Sequence, residues 1–90
     1  MAKKNRVRTM TRDEVRAELV EIVRRVTGYT GDIRDDMRLS EDIGADSLRI
    51  IAIVTAAEAA FSTAIEDDAL NDIKTVGDAV DYIVRVTATG

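Results

Sequence analysis

The chain contains no cysteine, histidine, proline or tryptophan, and its three aromatic residues are Tyr29, Phe61 and Tyr82. Without cysteine there is no disulfide framework and no thiol nucleophile. Without histidine, the chain lacks the commonest general base and the commonest neutral metal ligand. The lack of proline, together with only five glycines, allows helices to run without interruption. These absences favour a small helical protein without catalytic or metal-binding residues, and they argue against an enzyme.

Long hydrophobic runs are also lacking. No apolar run approaches the roughly 18 residues needed to span a bilayer, and residues 1–10 lack the apolar segment of a secretory signal. We therefore expect a cytoplasmic protein with no membrane span. At ninety residues, the chain makes one domain with a modest core, and we expect it to be a monomer.

The charges are distributed unevenly. Residues 1–10 hold four basic residues and no acid, whereas the rest of the chain holds nine basic and seventeen acidic residues, a net charge of −8. We predict a disordered basic leader over residues 1–10 and a folded domain over residues 11–90. An acidic domain is a poor binder of nucleic acid and a plausible target for basic protein surfaces. A leader that touches RNA or a membrane is the alternative, although it would need more charge.

Residues 11–28, TRDEVRAELVEIVRRVTG, have the pattern of a first helix. Thr11 and Glu14 form a capping-box pattern at its start, and Gly28 suits its end. One face carries an apolar stripe at helical spacing, formed by Val15, Leu19, Ile22, Val23 and Val26. A long polar connection follows, held down by the apolar anchors Ile33, Met37, Leu39 and Ile43.

A second helix is predicted to begin after Asp46, which is a natural N-cap. At about 100° per residue, its core face consists of Ile50, Ile53, Val54, Ala57 and Phe61. The opposite face, which carries almost no charge, consists of Leu48, Ala52, Thr55 and Ala59. The solvent-exposed face of a helix normally carries more charge than this one, so the face indicates a surface that binds a partner. The alternative is that the alanines of this face only favour the helical conformation and bind no partner.

The remaining chain completes a bundle. Residues 66–73, EDDALNDI, are predicted to form one or two helical turns that pack Ala69, Leu70 and Ile73 against the other helices. Thr75 and Asp78 resemble a capping box at the start of a last helix. The apolar stripe of that helix consists of Val76, Val80, Ile83 and Val84. The predicted fold is all-α: a small four-helix bundle, with three main helices plus a short third helix, and a long loop between helices 1 and 2.

The stretch GADSL, residues 44–48, places a hydroxyl at the start of the second helix. Gly44 permits a tight approach to the helix start, and Ser47 falls at the first helical position. We expect its hydroxyl to project outward near backbone N–H groups, where a helix favours negative charge, phosphate included. The neighbouring Asp46 would oppose part of that gain. The alternative is a serine that only stabilises the helix start.

Around this serine the chain resembles the acyl carrier proteins. The resemblance rests on EDIGADSL, residues 41–48, after a long acidic loop, and on TVGDAVDYI, residues 75–83, at the expected distance. It covers about residues 11–86. It implies that Ser47 carries 4′-phosphopantetheine, transferred from coenzyme A, whose thiol holds acyl groups as thioesters. It also implies a non-catalytic carrier that delivers those groups to partner enzymes.

The partners implied by the resemblance are a phosphopantetheinyl transferase and acyl-transferring or chain-extending enzymes of the ketosynthase, acyltransferase or ligase type. The expected docking residues are Asp46, Leu48, Arg49, Ile51, Ala52, Thr55 and Glu58. Asp46 and Leu48 are the implied recognition neighbours for the transferase. Ile51 is expected to line the mouth of an acyl pocket between helices 2 and 3, and Arg49 to pair with an acidic partner residue.

The chain departs from the family pattern along the second helix. Typical fatty-acid carriers have acids there that meet basic enzymes, whereas this chain has Arg49, Ala52 and Ala59 at the matching positions and keeps Glu58. Because electrostatic complementarity influences partner choice, these departures favour a polyketide or other secondary-metabolite pathway over fatty-acid biosynthesis.

The sequence also allows functions other than that of an acyl carrier. A peptidyl carrier of a nonribosomal system is one, although such carriers more often have histidine where this chain has Asp46. A helical interaction module without a prosthetic group would explain the bare helix face without using Ser47. A hydrolase using Ser47 has no histidine or cysteine, and Lys74, the only lysine after residue 10, is far along the chain.

A calcium site is a further possibility for the acids before the second helix, which are Asp32, Asp35, Asp36, Glu41, Asp42 and Asp46. Their spacing does not match the EF-hand loop, so we expect a solvated acidic loop that binds divalent cations weakly at most.

Overall fold

The computed structural model describes residues 10–88. Its helices are α1 (Arg12–Thr27), α2 (Ser47–Phe61), a 3-10 helix (Asp67–Asn71) and α3 (Val76–Ala88). No strand occurs over residues 10–88, and an isolated antiparallel bridge joins Arg38 to Thr75. The all-helical bundle predicted from the sequence is therefore confirmed. The leader predicted over residues 1–10 lies outside the described residues except for Met10, which is half-buried and packs against the core.

The ends of α1 follow the sequence signals. The backbone N–H of Glu14 donates to Thr11 Oγ1 at 3.2 Å, and the backbone N–H of Thr11 donates to Glu14 Oε1 at 2.9 Å. Both hydrogen bonds of the predicted capping box are thus present. At the other end, the N–H of Gly28 donates to the carbonyl of Arg24 at 2.8 Å, with Gly28 in the left-handed conformation at φ 76°.

The core forms where α1 packs against α2 and α3. Each helix contributes the stripe predicted for it, and the most completely buried large side chains are Val15, Ile22, Val23, Val76, Val80 and Ile83. Val26, Ile50, Val54 and Val84, which were predicted on the same stripes, are half-buried at the edge of the core. The hydrophobic stripes of the three α-helices therefore meet in the core.

The long loop between α1 and α2 is packed down by its apolar side chains. Its predicted anchors Ile33, Met37, Leu39 and Ile43 are buried, and Ala45, which the sequence did not single out, is 1% exposed. Backbone hydrogen bonds join the loop to the start of α3. The N–H of Val76 donates to Met37 O at 3.0 Å, and the N–H of Leu39 donates to Lys74 O at 3.1 Å.

Gly77 allows the loop and α3 to approach closely. Its N–H donates to the carbonyl of Asp35 at 2.8 Å, and a Cβ at this position would lie 3.1 Å from that carbonyl oxygen. A glycine in the first turn of a helix is otherwise unfavourable. Here it makes room for the loop that leads to α2.

Asp35 also ties the loop to α1 through its carboxylate. Arg16 Nε lies 2.7 Å from Asp35 Oδ1, and Arg12 Nη1 lies 3.0 Å from Asp35 Oδ2. The hydrogen bond from Arg16, supported by that from Arg12, lowers the pKa of the Asp35 carboxyl from its ordinary value. Arg12 also contacts Asp81 of α3 at 2.9 Å. One arginine therefore connects α1, the loop and α3.

The short third helix is a 3-10 helix rather than an α-helix. It has no side-chain hydrogen bond at its N-cap, and none of its residues is buried. Ala69, Leu70 and the following Ile73 are half-buried against the core, as predicted. Within residues 10–88, no helix is long and apolar enough to cross a membrane.

Candidate functional site: the start of α2

The N-terminus of α2 is capped by Asp46 and not by the serine that follows it. Asp46 Oδ1 accepts a hydrogen bond from the N–H of Arg49 at 2.9 Å, and the guanidinium of Arg49 lies 3.4 Å from Asp46 Oδ2. The prediction of Asp46 as N-cap is confirmed. Ser47 is the first residue of α2 and is exposed. Asp46 supplies the side-chain cap, and no hydrogen bond of the Ser47 hydroxyl is found among the described residues.

The chain reaches Ser47 through a fixed turn. The N–H of Ala45 donates to Leu39 O at 2.9 Å, and Ala45 is buried. Gly44 has φ 85°, a backbone conformation that residues with a Cβ rarely adopt. The expectation that Gly44 permits a close approach was wrong, since a Cβ there would meet no heavy atom within 4 Å. Glycine is needed for its backbone angle, which turns the loop into α2.

The electrostatics at this helix end suit a phosphate group. Backbone N–H groups of the first turn give the N-terminus of a 15-residue helix a partial positive charge. The first turn of α2 contains no acid. The preceding residue, Asp46, is paired with the Arg49 side chain. A phosphodiester on Ser47 therefore fits the residues present, with Arg49 offsetting the repulsion from Asp46.

The face of α2 that points away from the core is apolar and exposed. We call it the outer stripe, and it consists of Leu48, Ile51, Ala52, Thr55 and Ala59. Leu48 is 76% exposed and Ile51 is 55% exposed, and they are the two large hydrophobic side chains that are exposed among the described residues. This stripe contains four of the seven docking residues predicted from the sequence, and it begins next to Ser47.

The inner side of α2 lines an apolar cavity. The cavity has a volume of about 90 Å³. Side chains from α1, the long loop, α2, the 3-10 helix and α3 surround it, among them Leu39, Ile50, Val54, Ile65, Leu70 and Tyr82. An apolar space with so few polar atoms suits an alkyl chain better than water.

Ile51 does not line this cavity, contrary to the expectation that it borders an acyl pocket. Ile50 lines it instead. Successive residues of a helix point about 100° apart, so Ile50 shares the inner side with Ile53 and Val54 while Ile51 lies on the outer stripe. The side of α2 that could meet an acyl chain is thus distinct from the side that could meet a protein.

Glu58, which was predicted to take part in docking, has a contact within the chain. Its Oε2 accepts a hydrogen bond from the N–H of Ile65 at 2.7 Å. This bond joins α2 to the segment that leads to the 3-10 helix, and Ile65 is one of the cavity-lining residues. No local sequence pattern predicts this contact, because seven residues separate the two groups.

The acidic loop residues are largely engaged with arginines. Besides the contacts of Asp35, Asp36 pairs with Arg34 at 3.3 Å and Glu41 with Arg38 at 3.1 Å. Asp42 accepts a hydrogen bond from the backbone N–H of Arg38 at 2.7 Å. Within the described part of the chain, no group of three or more potential ligands is placed to hold a metal ion.

Comparison with known proteins agrees with this geometry. Residues 17–83 match the family described as phosphopantetheine attachment site. The acyl carrier protein of Acidothermus cellulolyticus is 38% identical over 81 residues, which cover 89% of this chain and 96% of that protein. The acyl carrier protein of Beutenbergia cavernae is 43% identical over 76 residues, 83% of this chain and 93% of that protein. That of Prochlorococcus marinus is 37% identical over 75 residues, 82% and 94% respectively.

The helical fold and the match over residues 17–83 place the chain among the phosphopantetheine-binding carriers. Within that class it belongs to the acyl carrier protein family. Its prosthetic group is accordingly 4′-phosphopantetheine, and it works with biosynthetic enzymes.

Proposed function

We propose that this chain is a non-catalytic acyl carrier whose 4′-phosphopantetheine is attached to Ser47. The observation that carries the proposal is the exposed hydroxyl at the first residue of α2, next to a cap that Asp46 completes without it. An exposed serine that does not cap the helix, at a helix end suited to phosphate, is accessible as the acceptor of a phosphopantetheine group. The proposal includes a cytoplasmic location, because the donor coenzyme A is found there.

The attachment step uses the hydroxyl as a nucleophile. Ser47 Oγ forms a bond to the phosphorus of coenzyme A that carries the pantetheine arm, and the bond from that phosphorus to the nucleotide bisphosphate breaks. A base on the transferase takes the hydroxyl proton, since the carrier has no histidine to supply one. When bound, the group supplies a terminal thiol that holds acyl chains as thioesters.

The carrier's own residues then have two tasks. The outer stripe of α2, with Asp46, Arg49 and Glu58 at its edges, presents Ser47 to partner enzymes. The apolar cavity behind Ile50 and Val54 accepts the acyl chain while the carrier moves from one partner enzyme to the next. Tethering raises the effective concentration of the acyl group at each docked active site, so modest docking affinity is sufficient.

We assign the carrier to polyketide or other secondary-metabolite biosynthesis. The support is the outer stripe itself, which has no acid to meet a basic enzyme surface. Chain-extending enzymes of the ketosynthase, acyltransferase or ligase type are the partners that such a role requires. The intact mass of the protein from its native host tests the assignment: β-oxygenated or branched acyl groups support it, whereas a series of straight saturated chains contradicts it.

The attachment site is tested by incubating the apo-protein with coenzyme A and a broad-specificity phosphopantetheinyl transferase. The expected result is a mass gain of one phosphopantetheine that is lost in Ser47→Ala. Ser40→Ala is the matched control, because Ser40 is also an exposed serine of the same acidic segment. A mass gain that persists in Ser47→Ala, or no gain in the unaltered protein, refutes the proposal.

A further inference from the structure

The composition of α2 is unusual for a helix at the surface of this chain. Residues 11–90 carry a net charge of −8, yet α2 has two charged residues, Arg49 and Glu58. A helix that is apolar on every side is normally covered on every side. The core covers the inner side of α2, but Leu48 and Ile51 on the outer stripe remain exposed among the described residues.

Both charges of α2 are engaged inside the chain. The Arg49 guanidinium lies 3.4 Å from the Asp46 carboxylate, and Glu58 Oε2 accepts the N–H of Ile65 at 2.7 Å. A partner that approached the outer stripe with a row of basic or acidic residues would find two charged residues on α2, Arg49 and Glu58, and both already contact groups of this chain. It would have to remove water from its own charges with little compensation from α2, which disfavours binding.

We propose that the enzymes which act on Ser47, the transferase included, meet the outer stripe with an uncharged, apolar patch. This inference rests on the proposed function, because Ser47 must be the attachment site for Leu48 and Ile51 to flank the docked arm. Burial of these two side chains supplies the binding energy, since the hydrophobic effect scales with the apolar area removed from water. Docking is then almost independent of ionic strength, unlike docking between oppositely charged surfaces.

Substitutions of Ala52, at the centre of the outer stripe, test the chemistry of the patch. Ala52→Glu, Ala52→Lys and the neutral control Ala52→Gln introduce side chains of similar length with comparable helix propensity. We measure KM for the apo-chain with coenzyme A and a phosphopantetheinyl transferase from the same organism. Both charged variants are expected to raise KM about tenfold over Ala52→Gln, because either charge must be desolvated against an apolar patch.

Other results of the same series overturn the inference. A KM that falls in Ala52→Glu and rises in Ala52→Lys indicates a basic patch, and the reverse order indicates an acidic one. Equal KM values for the three variants mean that the outer stripe is not contacted. If the unaltered chain gains no phosphopantetheine at all, the proposed function fails instead, so the two failures are distinguishable.

Two further measurements use the same assay. Leu48→Ala and Ile51→Ala are each expected to raise KM about tenfold, with the urea midpoint of unfolding unchanged because both side chains are exposed. The KM of the unaltered chain should change less than about threefold between about 50 and about 500 mM NaCl. A strong rise of KM with salt contradicts an uncharged patch. Dimerisation detected by sedimentation, if Leu48→Ala abolishes it, would assign the stripe to a second copy and also overturn the inference.

Discussion

The carboxylate of Glu58 accepts a hydrogen bond from the backbone N–H of Ile65 at 2.7 Å. The bond crosses from the last turn of α2 to the segment before the 3-10 helix, which has no side-chain cap of its own. Ile65 is 8% exposed and lines the apolar cavity. Glu58 therefore fixes one wall of the space into which we place the acyl chain.

Replacing Glu58 should weaken this wall. Glu58→Ala is expected to lower the free energy of unfolding by about 1–2 kcal/mol, because a half-buried N–H loses a charged acceptor. Glu58→Gln keeps an acceptor oxygen and should lose less. Urea unfolding followed by circular dichroism measures both. Glu18→Ala on α1 is the control, since Glu18 is exposed and its loss should cost no more than about 0.5 kcal/mol. Equal losses for Glu58→Ala and Glu18→Ala would contradict the structural role.

The stability of the fold should fall in acid. The pKa of Asp35 is lowered chiefly by the hydrogen bond from Arg16, and the pKa of Asp78 is lowered chiefly by the backbone N–H groups of Lys74 and Thr75. Since the folded state binds these protons more weakly than the unfolded state, the stabilisation is fully present above the unfolded aspartate pKa of about 3.9. It is lost as the pH falls through the lower pKa values of the folded state.

Urea unfolding between about pH 7 and about pH 2 measures this effect. The unfolding free energy should decrease below about pH 4 in the unaltered chain, and the decrease should be smaller in Asp35→Asn and Asp78→Asn because each variant lacks one titrating group. A pH profile that has the same slope in both variants as in the unaltered chain would show that these two contacts do not control the acid response.

Gly77 should resist substitution although it lies in a helix. Gly77→Ala would normally stabilise a helix by about 1 kcal/mol. Here the added Cβ would lie 3.1 Å from the carbonyl oxygen of Asp35, so the loop must move and its hydrogen bond to Gly77 must weaken. We expect a net loss of about 1 kcal/mol or more in urea unfolding. Ala17→Gly on the exposed side of α1 measures how much of the change in unfolding free energy comes from helix propensity. A gain in stability for Gly77→Ala would mean that the loop at Asp35 can shift to accommodate the added Cβ at little cost.

The parts of this fold that depend on neighbours in the sequence were predictable. The capping box of Thr11 and Glu14, the N-cap Asp46 and the buried stripes of α1 to α3 follow from spacings of three or four residues. The position of Ser47 as first residue of α2 follows from the same cap. Local rules are sufficient here because a helix end satisfies its own backbone groups within one turn.

The parts that depend on tertiary contacts were not predictable from the sequence. No local sequence pattern predicts that Gly77 contacts Asp35, or that Glu58 accepts a hydrogen bond from Ile65. The 3-10 geometry of Asp67–Asn71 likewise depends on how a short, uncapped segment packs on the core. The expectation that Ile51 borders the cavity conflicted instead with the helical periodicity, which already places Ile50 and not Ile51 on the core face of α2.

Filling the cavity should separate its role from that of the outer stripe. Ala79 lines the cavity and is 8% exposed, so Ala79→Leu places a larger side chain into the space proposed for the acyl chain. Loading the holo-protein with an octanoyl group should raise the Tm of the unaltered chain by about 5 °C, because a bound apolar chain stabilises only the folded state. The rise should disappear in Ala79→Leu.

The matched control is Ala60→Leu, which adds the same side chain at an exposed position of α2 that is not part of the cavity lining. It should keep the rise in Tm on octanoyl loading. Without an acyl group, Ala79→Leu should be at least as stable as the unaltered chain, because occupied space restores dispersion contacts along the cavity wall. An equal rise in all three proteins would place the acyl chain outside the cavity, whereas loss of the rise in Ala79→Leu alone would locate it beside Ile50 and Val54.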